Sequence, residues 1–201
     1  MEPFAPLHAV AAPLAVPNID TDQIIPARFI WRKRNEGWAH LLFNDLRFND
    51  DGSPKPQFVL NRPEFRDARI LVAERNFGCG SSREHAVWSL YDYGFRAVIA
   101  PSFGDIFLNN SLQNGLLPIA LPAAAVETLF ARLEQMPGSH MGVDLADQQV
   151  AGPDGSRYGF EIDPFRKQCL LAGTDEVGFT LGLRPAIEAF EKAYERRISW
   201  L

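Results

Sequence analysis

The sequence predicts an α/β fold, a layered unit in which parallel strands alternate with helices. Three observations predict it. Short apolar runs recur at 70–73, 96–100 and 116–121, the pattern of strands buried on both faces. Between them, at about 82–93 and 103–113, apolar residues return at i, i+3 and i+4, as on one face of a helix. Glycines mark the joints: Gly94 and Gly115 follow the two helices, and Gly78 and Gly80 precede the first. Strand–helix–strand–helix–strand with short connections is how a parallel sheet is built.

In chain order, residues 7–16 (L-H-A-V-A-A-P-L-A-V) read as one or two short strands broken at Pro13. Asn18, Asp20, Thr21 and Asp22 are turn and cap residues, whose side chains bond nearby backbone N–H groups. They are expected to brace the W-R-K-R-N stretch at 31–35. Residues 36–43 are weakly helical in pattern, and 44–57, rich in Asn, Asp, Gly and Pro, read as an exposed excursion. A strand over 69–74 leads through the glycine loop into the helix at 82–93, whose apolar face carries Ala86, Val87, Leu90, Tyr91 and Tyr93. Ser102 with Asp105 is expected to cap the helix at 103–113. A further helix follows over 122–134. Segments 142–150 and 157–162 are expected to pair as a hairpin turning at G-P-D-G. The tail holds helical patterns at about 164–171 and 185–197. In the last, Ile187, Phe190, Ala193 and Tyr194 share a face, expected to pack on the body of the chain or to dock on a partner. No repeat or linker divides the 201 residues, so a single domain over 1–201 with a helical C-terminal extension from about 164 is expected.

Bulk properties narrow the function. The hydrophobic fraction of 46% and charged fraction of 22% are those of an ordinary globular chain. A net charge of −5 gives no basic field for nucleic acid. The two cysteines, Cys79 and Cys169, read as free thiols in a reducing cytosol rather than a disulfide framework. Glu2 and prolines at 3, 6, 13 and 17 interrupt any N-terminal signal sequence, and no apolar stretch nears membrane-spanning length. A cytoplasmic location is expected.

The stretch Arg69–Ala86 carries the chemistry. Ser81-Ser82-Arg83-Glu84 matches S-x-x-E, which on its own reads as a capping box over the helix start. It is no P-loop, because no lysine and hydroxyl follow the second glycine; it lacks the third glycine of a dinucleotide fingerprint and the flanking glycines of a nucleophile elbow. The alternative is a carboxylate site. Gly78 and Gly80 allow backbone to approach a ligand closely, Ser81 and Ser82 stand where a helix N-terminus favours an anionic oxygen, and Arg83 offers a planar fork. One serine could then exchange a proton if nearby donors stabilise the alkoxide.

N-F-G-C-G-S-S-R-E-H-A at 76–86, S-F-G-D-I-F-L-N-N-S-L-Q-N-G-L-L-P-I at 102–119 and N-I-D-T-D-Q-I-I-P-A-R-F at 18–29 together resemble the swivelling β/β/α domain of the aconitase superfamily. Within it they closely resemble the small subunits of the bacterial 3-isopropylmalate dehydratases, over essentially the whole chain. The resemblance implies a hydro-lyase acting on 2-isopropylmalate, with homoaconitate or a related acid as the alternative substrate and a non-catalytic carboxylate-binding module as the alternative role. It implies that Ser81 is the catalytic base and that Ser82 and Arg83 hold substrate carboxylate. Gly78, Cys79 and Gly80 form the loop, with His85 orienting it through a hydrogen bond. Arg32, Lys33 and Arg34 belong to a loop that closes over substrate, where one of them would reach a carboxylate and Phe29, Ile30 or Trp31 the isopropyl group. The superfamily's 4Fe–4S cluster needs three cysteine thiolates. Two cysteines are too few, so no metal or cofactor is expected on this chain; the cluster is expected on a separate large subunit, in a heterodimer or heterotetramer.

Overall fold

A computed structural model describes residues 1–198; the end of the expected C-terminal extension, residues 199–201, lies outside the described residues. Seven strands form one sheet in the order β4-β3-β2-β1-β5-β6-β7. These are β1 Leu7–Leu14, β2 Ile70–Ala73, β3 Ala97–Ala100, β4 Leu117–Ala120, β5 His140–Asp144, β6 Gln149–Ala151 and β7 Arg157–Gly159. Strands β1 to β4 pair in parallel, as the buried apolar runs predict. From β1 outward through β5, β6 and β7 the pairing is antiparallel.

The period-two alternation of the strands divides the core between the two faces of the sheet. Ala12, Leu14, Leu71, Ala73, Val98 and Ala100 face one layer. That layer is closed by α3 (Glu84–Tyr93) and by the long 18–65 segment, which inserts Ile24, Trp38, Leu42 and Phe43. Ala9, Ala11, Ile70, Val72, Ala97 and Ile99 face the other, covered by α5 (Ala123–Gln135) through Val126, Leu129, Phe130 and Leu133. Helix α4 (Asp105–Asn114) serves both, sending Phe107 to the first layer and Leu112 to the second. Each such side chain contributes roughly 1.5–3 kcal/mol when fully buried.

Several expectations need correction. Pro13 does not break β1. The antiparallel partner β5 stops at Val10, so residue 13 has a neighbour on the β2 side only and its missing N–H leaves no ladder bond unmade. The 142–150 segment is two strands, because an Asx turn, Asp147 N–H to Asp144 Oδ1 at 3.0 Å, reverses the chain before Gln148; the G-P-D-G turn then joins the second strand to a third. Gly104, not Ser102, occupies the N-cap of α4, since the Ser102 hydroxyl is accepting the Asn76 N–H at 2.9 Å. In the tail, α6 (Pro164–Ala172) packs on the body through Cys169 and Leu170. Then α7 (Glu176–Gly182), which periodicity alone did not reveal, turns the chain into α8 (Arg184–Arg197). The expected packing of α8 on the body is absent: Val177, Leu181, Ile187, Phe190 and Tyr194 all remain exposed.

Candidate functional site

Ser81 sits where the carboxyl ends of three parallel strands meet, the usual place for a site in an α/β sheet. After β1 the chain runs into α1 (Thr21–Ile24), capped by Asp20, whose carboxylate accepts the Gln23 N–H at 2.8 Å. After β2 it forms the glycine loop, and after β3 the turn at 102–104. Backbone bonds stitch the three together. Gly78 N–H donates to Ile19 O at 2.7 Å and Thr21 N–H to Cys79 O at 2.9 Å. Phe77 N–H donates to Ser102 O at 3.0 Å, and Gly104 N–H returns to Phe77 O at 2.9 Å. Residues 18–22 therefore brace the glycine loop, not the basic stretch at 31–35.

The two glycines of the loop are not equivalent. Both have positive φ, +71° at Gly78 and +91° at Gly80. A Cβ at Gly78 would also lie 2.2 Å from Cγ of Phe107, a hard overlap with that side chain, whereas at Gly80 its nearest neighbour would be 3.4 Å away. Gly78 lets α4 approach the loop; Gly80 lets the chain turn.

The capping box does not form. Arg83 is the N-cap of α3 and makes no side-chain cap bond, and the Glu84 carboxylate accepts from Asn114 at 2.8 Å. Ser81 and Ser82 therefore precede the helix and are exposed on the loop. This frees the Ser81 hydroxyl, whose near neighbour is Thr21 Oγ1 at 3.4 Å. Arg83 is bonded to the Asp22 carboxylate, with its own side chain 17% exposed and that of Asp22 54%. The Arg83 guanidinium holds the Asp22 carboxyl below its ordinary range. Arg83 is thus a fixed cation at the rim, five residues from Gly78.

His85 makes no loop-orienting hydrogen bond: its Nδ1 is buried without a partner among the described residues. Its ring packs against Trp38 and Trp88, at centroid distances of 5.1 and 4.8 Å. Burial pushes its pKa down, which disfavours the charged ring. No sequence signal separates this role from hydrogen bonding, because the tryptophan at 38 is brought in from the inserted segment.

The basic stretch lies over the other end of α3. Arg34 makes a two-pronged pair with Asp92, both contacts at 2.7 Å, and its guanidinium lies 5.3 Å over the Trp88 ring. Asp92 is eight residues beyond Glu84 on that helix, about 12 Å along its axis. Arg32 bonds His40 Nε2 at 2.8 Å and lies 3.8 Å from Glu36. Lys33 lies between them. Trp31 is 77% exposed, its Nε1 donating to Arg28 O at 2.7 Å. An open cleft of about 710 Å³ adjoins this segment, lined by Arg28, Phe29, His40, Asp45 and Lys55.

Of the thiols, Cys79 is half-buried in the loop, with Sγ 3.6 Å from Asn18 O, and Cys169 is buried in α6. Burial pushes both pKa values up, which favours the thiol over the metal-binding thiolate. Among the described residues no group of three or more His, Cys, Asp or Glu is placed to share a metal ion, and no helix is long and apolar enough to cross a membrane.

Four parallel strands with an antiparallel extension, and a serine–arginine loop at the strand ends, define an aconitase-type swivelling domain. A family model for the aconitase C-terminal domain matches residues 1–124, and a second, LeuD_N, matches 127–164. A protein of Nitrobacter hamburgensis named 3-isopropylmalate dehydratase small subunit is 48% identical over 200 residues, covering 100% of both chains. One of Rhodospirillum centenum with the same name is 50% identical, covering 100% of this chain and 98% of its own. The crystal structure of 3-isopropylmalate dehydratase from Methanocaldococcus jannaschii superimposes with a TM-score of 0.65 at 25% identity, covering 93% of this chain and 99% of that one. The chain belongs to the family of 3-isopropylmalate dehydratase small subunits.

Proposed function

We propose that this chain is the base-supplying half of a two-chain hydro-lyase of leucine biosynthesis, converting 2-isopropylmalate to 3-isopropylmalate through 2-isopropylmaleate. The observation that carries the proposal is the Ser81 hydroxyl, exposed on a loop pinned to three strand ends, with the fixed cation Arg83 two residues on. Ser81 takes the proton from the carbon next to the carbinol, and the hydroxyl departs on the opposite side. Return of water with the two positions exchanged gives the isomer. Ser82 and Arg83 hold a substrate carboxylate, which displaces Asp22 from part of the guanidinium fork. Of the three cations at 32–34, Arg32 and Arg34 are engaged by His40, Glu36 and Asp92, so Lys33 is the one this reading offers to the second carboxylate, once the 31–35 loop has moved from the Asp92 end of α3 to close over substrate. Trp31 and Ile30, both exposed, are its candidates for the isopropyl group.

This chain's donor set does not fit the 4Fe–4S cluster of the superfamily, because two thiols kept protonated by burial cannot supply three thiolates. The cluster would be held by the large subunit, where it would supply Lewis acidity for the departure of the hydroxyl. The active site is then shared between the chains of a cytoplasmic heterodimer or heterotetramer. The residues from 1 to 201 act as one swivelling domain, and the uncovered apolar face of α7 and α8 supports the reading of a chain built to be covered by a partner. The test is to mix the chain with a cluster-bearing large subunit and assay hydration of 2-isopropylmaleate. Hydration requiring both chains supports the proposal; hydration by this chain alone, without iron, overturns it.

A further inference from the structure

Thr21 is 2% exposed, one of three buried polar residues among those described. The other two, Ser89 and Ser111, bond carbonyls of their own helices, at 2.9 Å to Ala86 and 2.8 Å to Phe107. Thr21 does not. Its hydroxyl reaches across 60 positions of sequence and donates to the Ser81 carbonyl at 2.9 Å. Its N–H donates to Cys79 O, two residues before Ser81, at 2.9 Å. One buried residue thus grips the loop on both sides of Gly80, where the backbone is otherwise free to turn.

The proton on Thr21 Oγ1 goes to the Ser81 carbonyl, while the two hydroxyl oxygens stand 3.4 Å apart, longer than an ordinary O–H···O bond, so the grip is on the Ser81 backbone. We infer that Thr21 is a positioning residue for Ser81: its bonds to Ser81 O and Cys79 O fix the Ser81 backbone, and with it the direction from which the serine side chain meets substrate. The inference rests on Ser81 being the base. Without that grip the loop is free to shift at Gly80, and misplacing a reacting atom by an ångström reduces rate by about 10²-fold.

The experiment uses the complex of this chain with its large subunit and compares Thr21→Val, Thr21→Ser and Ser81→Ala. Thr21→Val keeps the shape and removes the hydroxyl. The expected result is a fall in kcat of about tenfold to a hundredfold, with KM within twofold, an unchanged yield of complex, and recovery to within about threefold of the parent in Thr21→Ser. Three outcomes overturn the inference: Thr21→Val with undiminished kcat, a loss carried by KM or by failed assembly, or no rescue by serine. Ser81→Ala separates the two layers. If it is as active as the parent, the assignment of the base fails; if it is inactive while Thr21→Val is normal, only the role of Thr21 fails.

Discussion

Replacing Gly78 by alanine tests whether the close approach of α4 to the loop is what fixes the Ser81 site. Two penalties add. An alanine held at a φ of +71° loses about 1–2 kcal/mol to the clash of its Cβ with backbone. The same Cβ would lie 2.2 Å from Phe107 Cγ, and Phe107 is 2% exposed, packed against Phe77 at a centroid distance of 5.3 Å. Relieving that overlap within a filled core costs about a further 1–3 kcal/mol. The sum is roughly 2–5 kcal/mol, and for a chain of this size each kcal/mol lowers Tm by about 2–4 °C. Gly80→Ala is the internal control, because its φ of +91° brings only the backbone penalty and its Cβ would have 3.4 Å of room. Thermal unfolding of the two variants at neutral pH is the assay. Gly78→Ala should melt well below Gly80→Ala, which should lose about 1–2 kcal/mol. Equal losses, or a milder effect at Gly78, would refute the claim that Phe107 closes that position.

Two further predictions concern charge. Arg83→Ala should raise KM for 2-isopropylmalate by roughly tenfold to a hundredfold, the worth of a charged hydrogen bond of about 1.5–3 kcal/mol; Arg83→Lys should recover only part, since lysine lacks the planar fork. Steady-state kinetics of the reconstituted complex checks this, and an unchanged KM removes Arg83 from substrate binding. His85 gives a pH dependence. Its folded pKa lies below the unfolded value of about 6.5. The unfolded chain therefore binds the proton first, and stability, full above the unfolded pKa, declines as pH falls toward the folded one. Denaturant unfolding between pH 7.5 and 5 should show that decline, and His85→Phe should flatten it; the same slope in the variant would assign the titration elsewhere.

The parallel half of the sheet was legible because β2 and β3 are buried on both faces, and such strands read as unbroken apolar runs. Gly94 and Gly115 marked the helix ends because both take positive φ at C-caps. What sequence concealed depends on distant partners. The S-x-x-E pattern promised a cap, yet Asn114 takes Glu84 and the chain holds Ser81 three residues before the first residue of the helix. His85 read as a hydrogen-bonding residue until Trp38, 47 positions away, packed against it. Thr21 read as a turn former, and its bond to Ser81 spans 60 positions. Helix α7 was missed because seven residues with two glycines show little period, and an Asp175 cap to Gly178 starts it. The motif residues were thus readable as a set, while their contacts were not.

Everything proposed for the shared site turns on Ser81 as its proton-transferring group. The most direct measurement is the turnover of Ser81→Ala in complex with the cluster-bearing large subunit, at saturating 2-isopropylmalate and with complex formation verified. The expected result is a loss of about 10²–10⁴-fold in kcat, the usual worth of a positioned base, with assembly and KM little changed. Turnover within a few-fold of the parent would contradict it.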